Sequence, residues 1–360
     1  VKILAVSPIP EYATRDVWRG QCAGFEQLGC EVTRMEYGKV WQAFADFSEM
    51  MVCTGRSRFG SVDVNLMAGD RIVMAALVLE VDLVWLVAPM HVSPTTLKVL
   101  QSLRKLGIKT AIYFTECPYD DDSWQLKFAE LCDYAFICDN ISLPAFLEKN
   151  SHSFYVGHAY DPALHYPPAN GMKPDIDVSL VMTLFPSRVK FLEQVNWDGI
   201  DMHLYGITPL GNMSPLRKFV RGGVLLNDAT TRLYHRSRIG VQFHRNDSIT
   251  GERLMRAIQR GERGILGAVP NENLEAYSIA PRCYELAACG TFQVCDEGRA
   301  ELREVFGDSV PTYRTPDELG LLLRRHLDDP VRREELAQAQ HEAVKPYTFE
   351  ARMRQALEAL

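Results

Sequence analysis

The chain begins with an unbroken apolar run over 2–6, closed by Ser7, Pro8, Ile9 and Pro10. A short run without alternation, bounded by turn residues, predicts a strand buried on both faces, as in a parallel sheet. Val17, Trp18, Cys22, Phe25 and Leu28 then recur at helical spacing, and Gly29 supplies the stop. Further strand-like runs lie at 31–35, 83–88, 109–114, 134–138 and 154–156. Between them the pattern predicts a helix over 64–80 and a stripe of Leu97, Leu100, Leu103 and Leu106 ended by Gly107. Strands alternating with helices predict one doubly wound α/β domain over 1–168.

The segment 166–174 reads Tyr-Pro-Pro-Ala-Asn-Gly-Met-Lys-Pro, which is linker chemistry. Beyond it the alternation restarts, with strands expected at 176–182, 202–205, 239–243 and 292–295 and helices at 189–195, 282–288 and 316–327. A second α/β domain over 169–345 is the expected result. Phe349, Met353, Ala356, Leu357 and Leu360 share one helical face, so 346–360 is expected to be a helix packing back on the first domain. Two such Rossmann-like halves are expected to face a central cleft, with ligand at the carboxyl ends of the strands.

Composition narrows the functional classes. The 360 residues are 47% hydrophobic and 24% charged, ordinary for a globular protein, and the net charge is −7. The charge is unevenly spread: 215–264 holds eleven Arg or Lys against four Asp or Glu, a local +7. No apolar run approaches the roughly 20 residues of a membrane-spanning helix. The start at Val1 lacks a signal-peptide layout, and nine cysteines without a C-x-x-C pair fit a reducing, cytoplasmic setting. Cys283, Cys289 and Cys295 recur every six residues, but the spacing matches no zinc motif, so buried small hydrophobes and no metal site are expected. G-x-G-x-x-G after the first strand, the P-loop, H-E-x-x-H and G-x-S-x-G are all absent, which disfavours nicotinamide, P-loop, zincin and serine-hydrolase chemistry.

Several segments, in order, resemble the CgeB-like glycosyltransferases, relatives of the family 4 GT-B enzymes first labelled spore maturation proteins. They are Asp82-Leu83-Val84-Trp85, Thr115-Glu116-Cys117-Pro118-Tyr119-Asp120, Cys132 to Phe136, and His158-Ala159-Tyr160-Asp161-Pro162. Asp177 to Leu180, Ser187-Arg188 and Tyr234 to Ile239 continue the match. Its most specific piece is 281–290, Pro-Arg-Cys-Tyr-Glu-Leu-Ala-Ala-Cys-Gly, followed by Tyr347 to Arg352. The resemblance implies a GT-B fold and transfer of a sugar, UDP-glucose by default, to a hydroxyl with retention and without metal. The nucleotide sugar is then a co-substrate, and no resident cofactor is expected. The sequence departs from the family at Glu116, where Asp is commoner, at 182–183, where Gly is usual, and in an insert of about 30 residues at 247–278.

Roles follow residue by residue. Pro281 at a helix start beside Arg282 suits an anion, and Glu285 one turn along is placed to accept ribose hydroxyls. A plain Arg282–Glu285 surface pair is the alternative. Arg188 sits at a strand-to-helix turn and is implied to contact the diphosphate; Gly290 either lets backbone approach the donor or simply stops a helix. His91, Glu116 and His158 follow expected first-domain strands and are the candidates for general base or acceptor binding, against ordinary loop hydrogen bonding. His244-Arg245-Asn246 ends a second-domain strand on the same logic, while Asp120-Asp121-Asp122 reads as a solvated turn. Arg253, Arg256, Arg260 and Arg263 recur at three and four residues and would line one positive helix face. That face is either a solvated surface or a track for a DNA acceptor, such as phage DNA carrying hydroxymethylated pyrimidines in a host cytoplasm. Arg56 and Arg58 form a weaker patch. A non-catalytic GT-B binding protein is the remaining alternative.

Overall fold

The computed structural model describes residues 1–9, 13–53, 61–120, 124–169, 172–207, 210–248, 269–271 and 273–360. The chain divides into two units: Val1–Gly157 with Phe349–Leu360, and His158–Thr348.

The first unit is built on a parallel sheet of β1 (Lys2–Val6), β2 (Glu31–Met35), β3 (Leu83–Val87), β4 (Lys109–Phe114), β5 (Tyr134–Ile137) and β6 (Ser153–Tyr155), in the order β2-β1-β3-β4-β5-β6. The expected strands are present. Every residue of β3 is buried, which explains why it reads as an unbroken apolar run. Trp85 lies at the centre, edge-on to Phe25 at 5.1 Å, with its indole N–H donated to Gln21 Oε1 at 2.9 Å. The helices are α1 (Ala13–Gln27), α2 (Tyr37–Cys53), α3 (Ser61–Val78), α4 (Pro94–Ser102), α5 (Leu126–Ala129) and α6 (Leu143–Lys149). Of these, α2, α5 and α6 go beyond the sequence expectation.

The second unit has its own parallel sheet, from β7 (Ile176–Val181), β8 (Met202–Tyr205), β9 (Val220–Gly222), β10 (Ser237–Gln242), β13 (Phe292–Asp296) and β14 (Thr312–Tyr313). Its order is β14-β13-β10-β7-β8-β9, so strand order reverses between β7 and β10. In such sheets ligands bind outside the carboxyl ends at the reversal. A small antiparallel pair, β11 (Asp247–Ser248) with β12 (Val269–Pro270), closes the base of the insert. The helices are α7 (Pro186–Leu192), α8 (Asn227–Arg236), α9 (Pro281–Ala288), α10 (Ala300–Phe306), α11 (Pro316–Asp328), α12 (Pro330–Val344) and, returning to the first unit, α13 (Phe349–Ala359).

Two boundaries differ from the expectation. The units part at 157/158, not at 168/169. The reason is tertiary: Tyr160 bridges Thr348 and joins the core around Tyr284, Leu164 O accepts the Thr231 hydroxyl at 3.0 Å, and Tyr166 O meets His235 at 2.6 Å. His158 therefore belongs to the second unit and not to the first. The second join falls at 348/349, not at 345/346. The helix beyond it, α13, lies on α1, where Gly20 and Gly24 leave room for Phe349 and Met353. Both apolar side chains are buried, and each contributes on the order of 1.5–3 kcal/mol. The Tyr134 hydroxyl fixes the end of the helix by donating to Leu360 O at 3.0 Å.

Candidate functional site

The β10–α9–β13 crossover carries the chain back antiparallel to the strands, so the N-terminus of α9 lies at the carboxyl edge of the second sheet. Pro281 opens α9 with its preset φ, and the N-cap, Ala280, provides no side-chain hydrogen bond. Arg282 and Glu285 stand one turn apart, with Nη1 3.6 Å from Oε2. Arg282 Nη1 also approaches the buried Tyr234 hydroxyl at 3.4 Å, and burial raises the Tyr234 pKa despite that positive neighbour. Glu285 is only 7% exposed, yet Oε2 accepts no hydrogen bond among the described residues. A buried carboxylate oxygen with acceptor capacity to spare and a guanidinium beside an uncapped helix start together suit a polyol attached to phosphate.

Strand-order reversal adds a second group. Arg188 follows β7 and Arg245 follows β10, and both guanidinium groups lie against the Phe185 ring, at 5.4 and 4.8 Å from its centroid. Arg188 is buried and donates from Nη1 to Thr183 O at 2.7 Å. The start of α7, expected to favour phosphate, instead meets a carboxylate: Ser187 donates its N–H to Asp247 Oδ1 at 3.2 Å and its hydroxyl to Oδ2. An anion at this turn has to displace Asp247.

Gly290 sits at the opposite end of α9 from Arg282. It has φ +69° and follows the C-cap residue, Cys289, so it acts as a helix stop about 12 Å along the axis from Arg282. That geometry fits the helix-stop reading of Gly290. His91 and Glu116 follow the adjacent strands β3 and β4 of the first unit. Burial lowers the His91 pKa, and its ring lies 5.4 Å from that of Trp41. Glu116 Oε1 accepts the Thr115 hydroxyl at 3.4 Å. His158 is buried in the second unit. Arg253, Arg256, Arg260 and Arg263, together with Arg56, Arg58, Asp121 and Asp122, lie outside the described residues.

The fold also creates a cluster that sequence spacing hides. His244 beyond β10, Cys283 in α9 and Cys295 in β13 are all buried, and their potential ligand atoms lie within 4.8 Å of one another. Asp296 Oδ1 accepts both the His244 backbone N–H at 2.7 Å and a bond from Nδ1 at 2.8 Å. Burial disfavours a charged imidazole, but the Asp296 carboxylate outweighs it and pushes the His244 pKa up to about 9. All three cysteines are buried, as expected, and two of them, Cys283 and Cys295, meet His244. Cys289 alone stands apart, 4.0 Å from the Thr231 hydroxyl.

Comparisons with known proteins agree with this architecture. Residues 188–358 match the family described as glycosyl transferase-like. No curated protein matches the chain by sequence. Among solved structures, the Anabaena protein HepE (Alr3699) in complex with UDP-glucose is similar at TM-score 0.62 and 11% identity, with 100% of both chains covered. Sucrose-phosphate synthase from Thermosynechococcus elongatus is similar at TM-score 0.60 and 12% identity, covering 99% of this chain and 97% of that one. The DNA-modifying enzyme β-glucosyltransferase is similar at TM-score 0.54 and 12% identity, covering 100% and 99%. At these identities the likeness establishes fold. The chain thus has the two-unit α/β fold of the GT-B glycosyltransferases, and residues 188–358 match the glycosyl transferase-like family.

Proposed function

We propose that the protein is a CgeB-like glycosyltransferase that moves a sugar from a nucleotide-sugar donor, with UDP-glucose as the default, to a hydroxyl acceptor. The observation that carries this reading is the buried Glu285 Oε2, without a hydrogen bond, beside Arg282 at an uncapped helix start. Glu285 accepts the ribose hydroxyls, and Arg282 with the α9 N-terminus receives the diphosphate. Arg188 and Arg245, at the strand-order reversal, extend the positive surface toward the leaving group. The acceptor oxygen forms its bond to the anomeric carbon as the bond to the phosphate oxygen breaks. The nucleoside diphosphate leaves with that electron pair, and the acceptor proton passes to a donor phosphate oxygen or to a side-chain base. Positive side chains stabilise the leaving charge without a metal at the diphosphate, and configuration is retained. His91, Glu116 and His158 are the candidates for the base. The absence of any transmembrane-length apolar helix among the described residues fits a site of action in the cytoplasm.

Thermal-shift titration with a panel of UDP-, GDP- and ADP-sugars tests donor binding. One donor is expected to stabilise the wild type and to have little effect on Arg282→Ala; a flat response to every sugar nucleotide rejects the reading. NMR of the product's anomeric carbon tests retention. A donor that binds without being hydrolysed or transferred with any acceptor would favour the non-catalytic alternative.

A second reading of the acceptor rests on sequence. The Arg253, Arg256, Arg260 and Arg263 row within a +7 stretch suits the phosphates of DNA carrying hydroxymethylated pyrimidines. The DNA-modifying β-glucosyltransferase has the same fold. Labelled donor incubated with hydroxymethylcytosine DNA should label the DNA, and weakening the arginine row should reduce the salt dependence of binding. Labelling of a small hydroxyl compound but not of DNA eliminates this reading.

A further inference from the structure

We propose that His244, Cys283 and Cys295 form a zinc-binding site in the core of the second unit. The inference does not depend on the glycosyl-transfer reading and concerns a metal held under the start of α9. The three residues come from three elements: the residues after β10, the first turn of α9, and β13. Their side chains are 2%, 0% and 0% exposed. All three ligand atoms lie within 4.8 Å of one another, and Cys295 Sγ is 3.5 and 3.9 Å from the two His244 ring nitrogens. Tetrahedral zinc, with bonds of about 2.3 Å to sulfur and 2.0–2.1 Å to nitrogen, sets ligand edges of roughly 3.6–3.8 Å. The cluster, with its ligand atoms no more than 4.8 Å apart, is somewhat wider than these edges, and side-chain rotation has to draw the atoms in.

Asp296 supplies the feature that separates this group from a chance meeting of thiols. Its Oδ1 engages His244 Nδ1 at 2.8 Å and the His244 backbone N–H at 2.7 Å. A carboxylate on one imidazole nitrogen fixes ring and tautomer and leaves Nε2 as the ligand. Charge points the same way, because two thiolates balance a divalent ion, and the Asp296 carboxylate left over has the Arg299 cation as a neighbour. Thiolate donors select zinc over magnesium, calcium or manganese. Binding displaces the thiol protons and any proton on Nε2. The fourth position goes to a small ligand such as water. The metal joins β10, α9 and β13 beneath the helix start that carries Arg282 and Glu285, and it acts as a brace for that helix.

Elemental analysis of protein expressed with added zinc and purified without chelator tests the inference. The wild type and Cys289→Ser should carry about one zinc per chain. Cys283→Ser and Cys295→Ser should each retain less than about a tenth of that. Cobalt titration of the metal-stripped wild type should give a thiolate-to-cobalt charge-transfer band and the visible bands of a tetrahedral site, also in Cys289→Ser. These bands require the native cluster, so their absence in the folded wild type overturns the proposal whether or not the cysteine variants fold. Full zinc retention in folded Cys283→Ser, or a Cys283–Cys295 disulfide in protein isolated under reducing conditions, also overturns it.

Discussion

Replacing Glu285 with Gln changes almost nothing in volume and removes one charge. In the free protein the charge is paired with Arg282 at 3.6 Å, and the two side chains are 18% and 9% exposed. The pair accepts no hydrogen bond on Oε2, so the unliganded fold loses little besides Coulomb attraction. The donor complex loses more. A carboxylate can accept both ribose hydroxyls, whereas the amide has one acceptor oxygen and turns two donors toward the second hydroxyl. Hydrogen bonds to charged groups contribute about 1.5–3 kcal/mol each, so losing one and weakening the other costs about 3 kcal/mol, or roughly a 150-fold rise in donor Kd. Calorimetric titration of wild type and Glu285→Gln with the same UDP-sugar measures it, with the melting temperature of each free protein as the control. A Kd within about threefold of wild type, with an unchanged melt, refutes the assignment of Glu285 to the ribose.

Other substitutions probe the scaffold. A Cβ on Gly20 would lie 2.1 Å from the Phe349 ring, so Gly20→Ala should lift α13, cost about 1–3 kcal/mol and speed proteolysis of 349–360. Gly206 has φ +128°, and a Cβ there meets Met182 O at 2.0 Å, so Gly206→Ala should lower denaturant stability by more than about 2 kcal/mol. Gln340 is fully buried; its Oε1 accepts the Gln293 N–H at 3.0 Å and its Nε2 donates to Ser309 O at 2.7 Å. Gln340→Leu should cost about 2–4 kcal/mol by orphaning both groups, read as a lower urea midpoint. Burial holds His91 and His326 below their ordinary pKa of 6.5, so the unfolded chain takes up protons first. Stability should therefore fall as pH drops below about 6.5, and His326→Gln should flatten that limb of the melting-temperature profile.

Much of the scaffold was legible because parallel strands buried on both faces have to be apolar along their length. The runs at 2–6 and 83–87 could be little else. Helix α2 was equally available: Tyr37, Val40, Trp41, Phe44 and Phe47 repeat at helical spacing, and the pattern was passed over among neighbours of mixed character. The unit boundary was not legible. Prolines at 167, 168 and 174 mark a turn but carry no sign that Tyr160 will pair with Thr348, a contact made 188 residues away. At the site, Arg282 and Glu285 were found because a three-residue helical spacing forces proximity. Arg188's neighbour Asp247 and the gathering of His244 with Cys283 and Cys295 depend on strand order, which spacing does not encode.

Because α13 belongs to the first unit, the whole of His158–Thr348 is spliced into that unit's chain. During synthesis the first sheet can form early, but the groove at Gly20 and Gly24 has no tenant until residues 349–360 leave the ribosome. A chain cut short anywhere before that point leaves apolar α1 surface open to chaperones and proteases. Residues 349–360 therefore close the first unit only after the whole of the second has been made.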